Sequence, residues 1–396
     1  MAGRTTLQVT DCPANTTITL IHNEILNPDG TVNRNLAKMV GTYICAGTGT
    51  EVYRTHFTYY GFRYVQVNGF PGVPGEEAVT AHFVHSNVPQ SGEFSSSNPL
   101  LNAIQHATRY ASWSNLQDIP TDCPQRERFG WLGDAQLSFE TVIHNIDGGG
   151  FYTKWLNDFA DTQEYDADTM NTKGALPDCI PYYGHGYPDA DPGWGIAAWT
   201  ITDWFSDYYA DDVFDVSWYP HMKWYMTHWI NITAATPDGI FPIFHWGDWA
   251  NYVPGPYAFK TPEYPMYFYV RALEITAKFA ARLGFTDDNT YYAGMAQAAR
   301  TLYKKTFFNS STNCYAACTY VSQVLALTLG LSGPQGSPEE AAVWAKAMDW
   351  WKNDTSLGVG EHFGGGIISL KLSYPLLDAH GEQALALKMH LQSDSE

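Results

Sequence analysis

The chain has 396 residues, 41 of them acidic against 22 basic, and a formal charge of −19. A surface that acidic repels phosphate backbones and anionic headgroups, so nucleic acid and anionic membranes are excluded as partners. No apolar run is long enough to span a bilayer, and Met1 to Thr10 lacks the apolar stretch of a signal peptide. The length allows one large domain or two ordinary ones.

Residues 1 to about 90 read as β structure. Thr17–Ile21 and Tyr64–Val67 alternate in hydropathy, Asn27-Pro-Asp-Gly30 is a turn between them, and Thr50–Tyr53 and Ala81–Val84 are further strands. Strands this short and this many close naturally as an antiparallel β-sandwich. The chain enters that sandwich abruptly at Thr5, as though earlier strands were missing.

From about Asn98 the periodicity becomes helical, with Leu100, Leu101, Ile104, Ala107 and Ala111 on one stripe. Further helices are expected at 135–146, 151–163, 196–210, 213–231, 263–284, 288–307, 319–331, 338–352, 365–379 and 383–392. Most are joined by loops containing Gly or Pro, which describes a series of αα-hairpins. A boundary near 92 therefore separates a β unit, 1–92, from a helical one, 93–396.

Six cysteines (12, 45, 123, 179, 314 and 318) are too few and too scattered for a disulfide framework, although Cys314 and Cys318 could pair. No Cys/His cluster has zinc spacing, and no acidic loop has calcium spacing, so neither metal nor cofactor is expected. Four N-x-S/T sequons (Asn15, Asn231, Asn309 and Asn353) tilt the reading of a soluble protein slightly toward a secreted parent. The 26 tyrosines and 14 tryptophans suit a carbohydrate cleft, and an aromatic-rich helical core accounts for them equally well. The sequence leaves the oligomeric state open.

One segment concentrates chemistry. Pro120-Thr-Asp-Cys-Pro-Gln-Arg-Glu-Arg-Phe-Gly-Trp-Leu-Gly-Asp134 packs three carboxylates (Asp122, Glu127, Asp134), two guanidinium groups (Arg126, Arg128) and an indole (Trp131) into fifteen positions. Its prolines and glycines oppose a regular helix. Acid, guanidinium and indole together build a poor core and a good sugar pocket.

The same run resembles the motif of the bacterial and fungal α-L-rhamnosidases of glycoside hydrolase family 78. Phe57-Thr-Tyr-Tyr-Gly-Phe-Arg-Tyr-Val-Gln-Val-Asn-Gly69 resembles a strand pair of that family's β-domain, and Val84–Pro89 its crossing into the helical domain. Gly193-Trp-Gly195 and Trp246-Gly-Asp-Trp249 resemble its later pocket segments. The resemblance implies an (α/α)6 barrel of twelve helices. The helix count is one short, and both ends of the family's architecture are expected to lie outside this chain.

It also implies exo-acting hydrolysis of terminal α-L-rhamnose from glycosides or polysaccharides, with inversion. Glu127 matches the family's general acid. That acid must carry a proton, and Asp122 and Asp134 are expected to help by disfavouring a further negative charge. Both could instead be helix caps, Asp122 with Gln125 three residues on, and Asp134 ahead of the helix at 135–146. Arg126 is expected to donate a planar pair of hydrogen bonds to sugar hydroxyls or a carboxylate.

Trp131, Trp194 and Trp246 match pocket tryptophans, which would face the apolar C6 methyl of a deoxysugar, although a single tryptophan in such a barrel is more often core. Asp248 and, more weakly, Asp178 are candidate hydroxyl acceptors. Cys123, with no histidine adjacent in sequence, reads as a packed thiol.

Two departures stand out. Ile196 occupies a position where the family usually has an acid. The family's general base sits on a later Trp-Glu segment with no counterpart after Glu361-His-Phe-Gly-Gly365, leaving Glu361, Glu382 and Glu396 as weak nominees. Hydrolysis by this chain alone is accordingly expected to be impaired. The competing readings are a carbohydrate-binding pseudoenzyme, an (α/α)6 glycosidase or lyase for another sugar, and a purely structural scaffold.

Overall fold

The computed structural model describes residues 1–34, 39–164, 174–250, 261–353, 363 and 365–392. Glu361, Glu396 and the Asn353 side chain lie outside the described residues. The chain divides into two compact units, one holding Met1–Trp131 and Thr141–Trp155, the other Leu132–Glu140 and Leu156–Glu396.

The first unit opens with strands β1 (Ala2–Thr10), β2 (Thr17–Asn23), β3 (Val40–Ile44), β4 (Thr50–Arg54), β5 (Tyr60–Gly61), β6 (Tyr64–Asn68) and β7 (Val79–Phe83). They form two antiparallel sheets. β1 pairs with β4, β5 and β7, while β2 pairs with β3 and β6. Leu7, Val9, Ile18 and Leu20 project from the central strand of each sheet into one core. Burying side chains of this kind is worth about 1.5–3 kcal/mol each.

The sequence missed the first residues of β1 because Gly3-Arg4-Thr5-Thr6 carries no apolar alternation. Thr5 nonetheless points inward and meets the buried His22 Nε2 at 3.0 Å, so a polar pair completes the inner face. Cys12 and Cys45, which looked too scattered to matter, form a disulfide across the ends of this core, and Cys314 pairs with Cys318. Sheet pairing brings the first two together, since Asn15 N–H donates to Cys45 O and Cys45 N–H to Thr16 O.

Helix α1 (Pro99–Ser114) starts where expected because Asn98 caps it, accepting from the Leu100 and Leu101 amides, with Pro99 at the first position. A short hairpin, β8 (Leu116–Gln117) and β9 (Ile119–Pro120), then leads into the acidic segment.

From Leu132 onward the chain is mainly helical, and every helix expected there from periodicity is present. They are α2 (Leu132–Asn145), α3 (Gly149–Glu164), the one-turn α4 (Pro192–Gly195), α5 (Ala197–Tyr209), α6 (Asp212–Ala234), α7 (Glu263–Arg282), α8 (Thr286–Phe307), α9 (Tyr320–Thr328), α10 (Pro338–Asn353), α11 (Ile367–Ala379) and α12 (Gln383–His390). Only α4 had no counterpart in the sequence reading.

The helices alternate between two roles. Gln136 of α2, Trp204 of α5, Phe268 of α7, Thr328 of α9 and Lys371 of α11 converge on one cavity of about 130 Å³. α7 is buried on nearly every face, whereas its successor α8 buries only Tyr292, Ala296, Ala299 and Tyr303, one stripe at helical spacing. An inner ring of helices, each followed by an outer partner, is the six-hairpin arrangement. No described helix is long and apolar enough to cross a membrane.

Candidate active site

The acidic segment folds as a pinned loop in the first unit. Residues 124–127 make one turn and no helix. Asp122 closes the loop from both sides, since its amide donates to Phe129 O at 3.0 Å and its Oδ1 accepts from Phe129 N at 3.0 Å. Its Oδ2 accepts the Cys123 thiol proton at 2.8 Å, and Cys123 Sγ accepts the Glu127 amide at 3.2 Å. Arg128 adopts φ +62°, an uncommon left-handed conformation for a side-chain-bearing residue. Its guanidinium lies over Tyr59, 4.8 Å from the ring centroid, and its Nε donates to Pro124 O.

This framework presents Glu127. Its Oε2 accepts from Trp131 Nε1 at 2.9 Å and its Oε1 from Arg126 Nη2 at 3.2 Å. The Glu127 side chain keeps 28% of its surface exposed and Arg126 keeps 57%, so both can reach a ligand. Burial pushes the Asp122 carboxyl above its usual range, and the charge of Glu127 adds to that push. The Cys123 thiol is also pushed up, first by burial and then by its bond to Asp122, which suits a packed thiol.

A second cluster lies in the helical unit, built around three aspartates with no exposed surface: Asp178, Asp191 and Asp248. Asp178 accepts from the amides of Tyr187 (2.8 Å) and Asp191 (2.9 Å) and from Trp246 Nε1 (2.8 Å). Asp191 Oδ1 accepts from the Gly193 amide at 2.8 Å and Tyr264 OH at 3.2 Å, and its Oδ2 from the His245 and Trp246 amides at 2.8 and 2.7 Å. Asp248 accepts from the amides of Gly366, Ile368 and Ser369 and from Ser369 Oγ. Burial raises all three carboxyls, Asp178 to about 7, while the converging donors act in the opposite sense.

Together these carboxylates tie the Trp194 turn, the Trp246 loop and the start of α11 into one rigid piece. Trp246 is half-buried with its indole N–H fixed on Asp178. Trp194 is 3% exposed and stands behind it, ring centroids 6.2 Å apart. Gly133 makes room for Trp194, since a Cβ there would come within 2.5 Å of the indole.

Residues 89–396 match the model of the bacterial alpha-L-rhamnosidase 6 hairpin glycosidase domain, and residues 1–85 match the bacterial alpha-L-rhamnosidase concanavalin-like domain. The chain belongs to the bacterial α-L-rhamnosidase family. An alpha-L-rhamnosidase of Streptomyces avermitilis is 30% identical over 368 residues, covering 90% of this chain and 34% of that protein. The structure of an alpha-L-rhamnosidase from Dictyoglumus thermophilum superposes with TM-score 0.88 at 32% identity, over 99% of this chain and 43% of that one. The Streptomyces avermitilis alpha-L-rhamnosidase structure in complex with L-rhamnose gives TM-score 0.83 at 28% identity, over 99% and 36%. The chain thus spans between a third and two fifths of the curated relatives' length. A β unit followed by six-hairpin helices is the fold that both comparisons share with the sequence reading.

Within this family setting the anticipated site residues separate into groups. Asp122, Arg126, Glu127 and Trp131 assemble in the first unit. Asp178, Trp194, Trp246 and Asp248 assemble in the second. Asp134 sits in the first turn of α2, where the helix dipole favours a carboxylate, but Trp131 holds the N-cap position, so the capping alternative is corrected. Asp122 likewise caps no helix and instead closes the loop onto Phe129.

The hydroxyl-acceptor reading of Asp248 and Asp178 is also corrected, because their oxygens are buried and taken by loop donors. Trp194, buried behind Trp246, offers a ligand almost no surface. Ile196, whose apolar character seemed a loss, is 1% exposed and lines the helical cavity. Asp191 was missed altogether. An aspartate directly before Pro192 at a helix start was the available signal.

Proposed function

We propose that this chain carries the acid side of an exo-acting, inverting α-L-rhamnosidase site. The observation that carries the reading is Glu127, a partly exposed carboxyl gripped by an indole N–H and a guanidinium and held on a loop that Asp122 pins. Glu127 would give its proton to the glycosidic oxygen as the bond to the anomeric carbon breaks. A water would attack from the opposite face and lose its proton to a base across a gap of about 6.5–9.5 Å, giving free rhamnose and the released alcohol.

Arg126 would bind sugar hydroxyls, Trp131 would face the sugar's apolar side, and Asp122 would oppose further negative charge near the acid. In the helical unit, Trp246 is read as a wall for the C6 methyl and Asp134 as a further candidate. A division near residue 92 is supported by the junction of the two family models at 85–89. The buried Cys12–Cys45 disulfide supports secretion.

The test is release of L-rhamnose from an alkyl α-L-rhamnoside by the full gene product, followed by NMR of the first anomer. The β-anomer first, with loss in Glu127→Gln, is the expected result. The α-anomer first would replace inversion by retention. Binding of L-rhamnose without any release would make the protein a carbohydrate-binding pseudoenzyme.

A further inference from the structure

Trp246 does not stand alone. On one side its ring meets Tyr187 with centroids 5.3 Å apart and planes at 63°, and on the other it meets Trp249 at 5.6 Å and 83°. Tyr187 in turn lies flat against His245, centroids 3.7 Å apart and 8° from parallel. Tyr187 is 41% exposed and Trp249 51%, so the row runs out from the half-buried Trp246 into solvent at both ends.

Its backbone is not free to wander. The Tyr187 amide is held by Asp178, the His245 and Trp246 amides by Asp191, and Trp249 O accepts the Ile367 amide at 2.8 Å. Exposed aromatic surface on rigidly fastened backbone is a poor use of residues for stability, and it is the usual construction of a surface that stacks on a ring.

We infer that Tyr187, His245 and Trp249 form a subsite for the aglycone, the group released from rhamnose, and that its ligand is a neutral sugar ring. This rests on reading Trp246 as part of the rhamnose wall. The row extends past Trp246 by a further ring on each side, more than one pyranose needs.

Trp246 meets Tyr187 and Trp249 nearly edge to face, which makes an angled cradle. A puckered pyranose can lay its C–H face on one ring and its edge on the next, whereas a flat polyaromatic group calls for a parallel slot. The two loops involved, 176–196 and 239–250, contain no lysine or arginine and carry Asp178, Asp189, Asp191 and Asp248. A uronate would find no lysine or arginine partner on these loops.

The full gene product, with Trp249→Ala, Tyr187→Ala and the aromatic-retaining Trp249→Phe, would be compared on methyl α-L-rhamnoside, a rhamnosyl-hexose, a rhamnosyl-uronate and a nitrophenyl rhamnoside. The two alanine variants are expected to lose about five-fold more kcat/KM on the rhamnosyl-hexose than on the methyl rhamnoside, through KM, with Trp249→Phe restoring most of it. Equal losses on both substrates would overturn the subsite. A wild-type preference for the uronate, or a larger loss on the nitrophenyl substrate, would overturn the ligand class.

Should the wild type release no rhamnose at all, the hydrolase reading fails, and the subsite is then judged by binding alone. The rhamnosyl-hexose should bind about five-fold tighter than L-rhamnose, an advantage that Trp249→Ala erases. Equal affinities would sink it.

Discussion

Trp131 Nε1 stands 2.9 Å from Oε2 of Glu127, four residues back along a loop that Asp122 closes. In general acid catalysis that carboxyl begins neutral and ends charged, and a hydrogen bond to a charged acceptor is worth about 1.5–3 kcal/mol, more than one to a neutral acceptor. In the proposed reaction the indole would therefore help the transition state more than the bound substrate. Trp131→Phe should lower kcat on an alkyl rhamnoside by about ten-fold or more with a smaller change in KM. A change confined to KM would make Trp131 a wall and nothing else.

Glu127→Gln removes the transferable proton while keeping the shape. Loss of a general acid typically costs about 10²–10⁴ in rate. The loss should be largest for an alkyl leaving group and much smaller for a nitrophenolate, which departs without protonation. Equal loss on both substrates would assign Glu127 to binding.

Asp191, itself fully buried, gathers donors from the Gly193, His245 and Trp246 amides and from Tyr264 OH. Each donor left without a partner costs about 1–3 kcal/mol. Asp191→Ala should cost at least about 3 kcal/mol in denaturant unfolding, Asp191→Asn distinctly less, and Asp191→Ala should shift tryptophan emission to the red as the Trp246 loop loosens. Unchanged emission and stability would show that the loop holds without it.

His22 lies buried and stacked on Tyr60, ring centroids 4.1 Å apart, and burial pushes it down from 6.5 to about 4. Between those values the unfolded chain binds a proton that the folded one refuses. Its contribution is complete above pH 6.5 and is lost as pH falls toward 4, amounting to about 3 kcal/mol. Asp178, raised to about 7, works in the opposite sense, its contribution fading as pH rises from 3.8 to 7. The His22 part is isolated by comparing wild type with His22→Gln at pH 7 and 4.5, where the variant should show the shallower acid loss.

Elements with their own periodicity were legible in the sequence. The a/d-like stripe of α8 and the Asn98-Pro99 start of α1 announce themselves within a few residues. The acidic segment was legible for a different reason, since no packing requirement explains its density of charge. Polar solutions to burial stayed hidden. Thr5 faces inward only because His22 meets it from another strand, and Cys12 finds Cys45 only through sheet pairing. The same holds around Trp246, where Asp178 and Asp248 look like pocket acids and Asp191 went unread, yet all three are buried and held by loop donors. Their partners lie between 2 and 121 residues away, and no local pattern records that distance.

Asp248 bonds to Gly366, Ile368 and Ser369 across 118 to 121 residues, and Gly366 is packed so closely under the carbonyls of Asp248 and Trp249 that any Cβ would collide. On the ribosome, then, the Trp246 wall has no final shape until α11 has emerged. At about 5–20 residues per second, the earlier hairpins wait on the order of ten seconds with that loop unfastened. Slow codons or a chaperone acting in this interval would govern the yield of competent sites without touching the stability of the finished fold.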